Sequence, residues 1–104
     1  MTTKALPSWM KLTDEGVSIK LTKPSELNQV KVDRLHLRAP TVRELRAATA
    51  QSGGDAEKRE VILFASLAEV GSGDLEGLTV VNYSRVQAGY FRMVEDDEPY
   101  NYID

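Results

Sequence analysis

The chain has 104 residues, a formal net charge of −3 and no cysteine, which sizes it for one domain and excludes disulfides and thiolate-based zinc or redox chemistry. Hydrophobic residues make up 41% and charged residues 28%, the balance of a small soluble domain. No apolar run near the N-terminus reaches the roughly 7–15 residues of a secretory signal, and none approaches the roughly 20 residues of a membrane-spanning helix, so a cytoplasmic location is expected.

The charge is unevenly spread. Glu95, Asp96, Asp97, Glu98 and Asp104 fall within the last ten residues, so 16 acids less those five leaves 11 against 13 bases, or +2, for residues 1–94. Residues 1–8 are polar and expected to be flexible, residues 9–94 form a single α+β domain, and residues 95–104 read as an acidic disordered tail. Tyr100, Tyr102 and Ile103 give that tail some capacity to dock.

Trp9 opens the ordered part. Met10 and Leu12 alternate with Lys11, a turn follows at Asp14-Glu15-Gly16, and Val17, Ile19 and Leu21 alternate with Ser18 and Lys20, which is a hairpin pattern. Trp9 is placed to cover one end of it, with an indole N–H in need of a partner. Lys23 to Gln29 reads as the next connection. A third strand starts near Val30, but Val30 and Val32 have the opposite parity to Leu35 and Leu37. Either a bulge near Asp33-Arg34 returns both pairs to the core, or Val30 precedes the paired region.

The segment from Val32 to Arg46 joins sheet to helix. Leu35 and Leu37 alternate with Arg34, His36 and Arg38 until Pro40, which lacks an amide hydrogen and holds Ala39 extended. Thr41 followed by Glu44 has the spacing of a capping box. Helix one is expected over about Val42 to Ala50, ended by Ser52-Gly53-Gly54. Asp55 caps helix two, about Ala56 to Val70, whose residues after Arg59 leave almost no polar face. Such a helix is either central to the core or one side of a partner interface. Gly71 is expected to end it. Asp74 to Gly77 reads as a helical turn or loop. A third helix over about Val80 to Val94 carries the stripe Tyr83, Val86, Tyr90 and Met93/Val94, with Gly89 inside it either for close packing on helix two or simply tolerated.

Catalytic signals are missing from the pattern. His36 is the one histidine, and it lies on the polar side of a strand with no base–nucleophile partner near in sequence. No H-x-x-x-H or D-x-D spacing, G-x-G-x-x-G or G-x-x-x-x-G-K occurs, so neither a metal nor another cofactor is expected, and no enzyme. Lys31, Arg34, Arg38, Arg43 and Arg46 gather around the strand–helix joint, read first as a solvated face and second as a patch for an acidic partner. No aromatic residue lies between Trp9 and Phe64, so nucleic acid is not expected.

Four segments in order resemble the tail assembly chaperones of contractile-tailed bacteriophages of the Mu type: L-P-S-W-M-K-L-T-D-E-G at 6–16, L-H-L-R-A-P-T-V-R-E-L at 35–45, D-A-E-K-R-E-V-I-L-F-A-S-L-A-E-V at 55–70 and D-L-E-G-L-T-V-V-N-Y-S-R-V-Q at 74–87. The strand ending R-x-P-T before a helix is the most specific of these. Asn82-Tyr83 departs from the family's more frequent Asp-Tyr. The resemblance implies a non-enzymatic protein of virion morphogenesis, from a phage or prophage. It would bind the helical tape-measure protein in the host cytoplasm, with other tail proteins or itself as further partners, and be absent from the mature virion. A groove bordered by Phe64, Leu67, Tyr83, Val86 and Tyr90, with Arg38 and Arg43 at its rim, would hold the partner helix. The acidic tail would cover the basic joint in the free protein. The alternative is a small adaptor or regulatory domain that binds a peptide by strand addition at a sheet edge. The expected fold class is α+β, a short antiparallel β-meander of about three strands followed by about three α-helices.

Overall fold

The computed structural model describes residues 6–95. A three-strand antiparallel meander comes first: β1 (Met10–Thr13), β2 (Gly16–Leu27) and β3 (Val30–Arg38), in the order β1-β2-β3. Four helices follow: α1 (Val42–Ser52), α2 (Ala56–Ala68), the short α3 (Ser72–Glu76) and α4 (Val80–Val94). This is the expected α+β class, with one helical turn more than the three helices anticipated. Residues 1–5 and 96–104, and with them most of the flexible N-terminus and the acidic tail expected from sequence, lie outside the described residues. Leu6 packs against the core, and the Pro7 carbonyl accepts from the Met10 amide at 3.1 Å.

The alternation in the strands decides which face of the sheet is covered. Met10, Val17, Ile19, Leu21, Leu35 and Leu37 point to one side and are buried, whereas Lys11, Lys20, Arg34 and His36 are exposed. The helices lie on the apolar side, α2 over β3 and α4 over β2, while α1 packs against α2. His36 is a surface residue, its Nδ1 3.1 Å from the Ser18 hydroxyl on the neighbouring strand.

The parity conflict in β3 stays: Leu35 and Leu37 are in the core, Val32 is only partly buried and Val30 is 58% exposed, so no bulge returns both pairs to the core. Lys20 pairs with Arg34 and Ser25 with Val32, so the four residues Leu21 to Pro24 stand opposite Asp33 alone. The expected bulge near Asp33-Arg34 is therefore an irregularity of β2. Pro24 lies within it, where the missing amide hydrogen costs no ladder bond. The segment read as a connection is strand as far as Leu27. The β2–β3 turn is only Asn28-Gln29, both with positive φ (53° and 65°), the backbone of a tight two-residue hairpin. Asparagine tolerates that region and glutamine does so less readily. The turn is braced from outside: the Asn28 amide donates to Asp74 Oδ2 at 3.1 Å, and its side chain donates to the Glu69 carbonyl at 3.1 Å.

The joint between sheet and helix matches expectation closely. The Thr41 hydroxyl accepts from the Glu44 amide at 3.2 Å, and the Thr41 amide donates to Glu44 Oε1 at 3.0 Å, completing the capping box. The other Glu44 oxygen pairs with the Arg38 guanidinium at 2.7 Å, so the last residue of β3 is tied to the first turn of α1. Helix α2 ends earlier than expected. Glu69, rather than Gly71, turns left-handed with φ 59°, and its amide and that of Val70 close on Ser66 and Ala65.

Of the two roles open to a helix apolar all round, α2 takes the central one. Its Leu63, Phe64, Ala65 and Leu67 are buried between sheet, α1 and α3. Gly89 serves packing, but on the sheet rather than on α2: a Cβ there would meet Ile19 Cδ1 at 2.3 Å.

Candidate partner-binding surface

Helix α4 presents two working faces. Asn82, Val86 and Gly89, at i, i+4 and i+7, are buried and press on β2. Asn82, 1% exposed, clasps the irregular part of that strand. Its Oδ1 accepts from the Thr22 amide at 2.8 Å and the Thr22 hydroxyl at 3.0 Å, while its Nδ2 donates to the Lys23 carbonyl at 3.5 Å. A residue that both accepts and donates suits this place. An aspartate in its stead would set a carboxylate oxygen against the Lys23 carbonyl. Further along, Arg85 donates to the Lys20 carbonyl at 2.8 Å and lies 4.9 Å from the Trp9 ring centroid, a cation–π contact that covers the hairpin end.

The second face of α4 looks across to α2. The two helices meet through long side chains: the Phe64 ring stands 6.0 Å from that of Tyr83 and 4.9 Å from that of Tyr90, both tilted. Glu60 Oε1 accepts from the Tyr83 hydroxyl and from Gln87 Nε2, both at 2.8 Å. Burial and the neighbouring Glu60 carboxylate push the Tyr83 phenol well above its ordinary pKa of 10.0. Burial also raises that of Tyr90, with Arg59 acting the other way. Both tyrosines are neutral donors at physiological pH.

Two open hollows flank this polar bridge. One, of about 440 Å³, is lined by Leu45 of α1, by Glu57, Arg59, Glu60, Leu63 and Phe64 of α2, and by Gln87, Tyr90 and Phe91 of α4. The other, of about 390 Å³, lies among Val61, Leu75, Leu78, Val80, Tyr83, Ser84 and Gln87. Gln87 lines both, so the two hollows adjoin on either side of the bridge as an interrupted furrow. Apolar side chains stand out of its edges: Phe91 is 57% exposed, Val80 82% and Leu45 39%.

The residues singled out from sequence divide accordingly. Phe64, Tyr83 and Tyr90 come together, with Phe64 as the enclosed floor and the tyrosines as a half-buried wall. Leu67 and Val86 are fully buried and line neither hollow; Leu67 lies instead beside His36, Arg38 and Glu69. Neither arginine is at the rim. Arg38 sits at the strand–helix joint, paired with Glu44, with Glu69 at 3.9 Å and with the Ser66 carbonyl at 3.4 Å. Glu44 holds its guanidinium above the ordinary arginine pKa and is itself held below its ordinary 4.5, chiefly by the bond to Arg38. Arg43 is exposed two residues from Leu45, which turns it about 200° around α1 from the furrow side. Sequence reading missed Phe91, Val80 and Leu45. The signal was the helical spacing 80, 83/84, 87, 90/91, which describes a second stripe on α4 beside the one that meets the sheet.

Among the described residues no group of His, Asp and Glu could hold a metal ion, and no helix is long and apolar enough to cross a membrane. Fold and surface together describe a small α+β domain whose helices leave a furrow between them. The family model for phage tail assembly chaperone proteins, E, or 41 or 14, matches residues 18–95, and the chain belongs to that family. Its place is therefore in tail assembly, acting on other tail proteins. No curated protein and no solved structure matches the chain.

Proposed function

We propose that this chain is a non-enzymatic chaperone that binds helical segments of the tape-measure protein in the host cytoplasm during tail morphogenesis. The family match over residues 18–95 carries this reading, and the α2–α4 furrow supports it, because a largely apolar furrow between two helices suits an amphipathic helix. Tyr83, Tyr90, Phe91, Val80 and Leu45 make the contact, over Phe64 as its floor. The family match favours this over a peptide adaptor working at a sheet edge.

Co-expression with the tape-measure protein of the same genome tests it. The long protein becomes soluble and co-purifies with the wild-type chain, and Phe91→Asp or Tyr90→Asp abolishes both. Phe91→Asp is the cleaner variant, because the side chain is largely exposed and its loss leaves the core intact. Phe64→Asp would place a charge in the core and unfold the domain. Co-purification that survives both furrow variants moves the contact elsewhere. No association at all returns the adaptor reading.

A further inference from the structure

The furrow carries charge as well as apolar surface, and its charge has a sign. Asp55, Glu57, Glu60 and Glu76 line it or the shallow continuation beside Val61 and Ile62, against Lys58 and Arg59. Glu60 stands at the middle of the furrow. One of its oxygens is shared by Tyr83 and Gln87, and among the described residues no cation forms an ion pair with it. The two donors fix the carboxylate in place, so it meets a ligand already oriented.

The geometry sets the spacing of a matching ligand. The α4 residues on the furrow run from Val80 to Phe91, eleven steps or about 16 Å of helix. The two hollows lie about two helical turns apart along this wall, with the Glu60 bridge between them. A helix laid along the furrow would fill the hollows with apolar side chains at i and i+7. Its residue at i+3 or i+4 would then face Glu60. A carboxylate flanked by further acids rejects an acid there and attracts a base.

We propose that the furrow selects an amphipathic helix with a lysine or arginine between two apolar residues spaced i and i+7, and that Glu60 reads the cation. This deepens the proposed chaperone function and rests on it. The test uses alanine-based helical peptides of about 18 residues with leucine at i and i+7 and either arginine or glutamate at i+4. They are titrated into the full chain, with affinity read by calorimetry and location by amide shifts.

The arginine peptide is expected to bind about tenfold tighter than the glutamate peptide, with shifts on α2 and α4. Glu60→Gln, which keeps an oxygen for Tyr83 and Gln87, should bring the two peptides within about twofold. Equal binding to the wild type, a preference that persists in Glu60→Gln, shifts centred on the sheet, or binding of neither peptide would each overturn the proposal. Any of those results alongside intact co-purification of the tape-measure protein leaves the chaperone reading standing and removes only the charge selection. Loss of co-purification with a retained arginine preference does the reverse.

Discussion

Two polar assemblies hold this domain together, and they are built on opposite terms. At the strand–helix joint, Arg38, Thr41 and Glu44 lie within seven residues of one another and are largely at the surface. At the clasp, Thr22 and Asn82 are sixty residues apart, and the asparagine is buried. The joint replaces bonds to water with bonds to protein, so each of its contacts adds little. The clasp is made by a side chain that is itself buried against an irregular strand, so its removal costs packing as well as hydrogen bonds. Similar hydrogen bonds thus differ several-fold in what their loss costs.

Breaking each assembly should expose that difference. Asn82→Ala is expected to destabilise the domain by about 2–4 kcal/mol, seen as a lower urea midpoint, because it removes the bonds to Thr22 and Lys23 and opens a small void beside β2. Thr41→Ala should cost about 1 kcal/mol in the same measurement, since only an exposed cap is lost. A clasp variant no worse than the cap variant would erase the contrast.

The smallest effect concerns pH. Glu44 has a folded-state pKa below its ordinary value, so its pairing contributes stability that is present above the ordinary carboxylate range and fades as pH falls through the lowered folded value. Urea midpoints measured from neutral pH into the acid range should decline less in Glu44→Gln than in the wild type, while neutral-pH stability drops slightly. Equal acid sensitivity in the two proteins would mean that the ion pair is screened to nothing.

The same contrast explains what could be read in the sequence. The capping box, the Pro40 stop and the alternation of Leu35 and Leu37 are local patterns, and the structure keeps them all. The misplaced irregularity came from reading β3 alone. Leu35 and Leu37 set the core face of β3 and leave Val30 outside it, while the extra residues belong to its neighbour, and only pairing shows which strand carries them. The Asn28-Gln29 turn was hidden for a similar reason. Neither residue is glycine, and the bonds that hold it come from Asp74 and Glu69, more than forty residues on. For the candidate surface, sequence pointed to α2 and α4, and the structure brings Phe64, Tyr83 and Tyr90 together there. Sequence reading grouped Leu67 and Val86 with them although both are enclosed, because one apolar stripe cannot show which of its residues the core claims.

The seam between α4 and β2 also has a place in time. Thr22 is synthesised sixty residues before Asn82, the residue that clasps it. At roughly 5–20 residues per second, translation separates the two by roughly 3–12 s. Through that interval the two hairpins can pair, since their partners are already made, but the irregular half of β2 has no helix to close over it. Covering of that half of β2 therefore waits for α4 to leave the ribosome. The furrow, whose second wall is that same helix, can form no earlier.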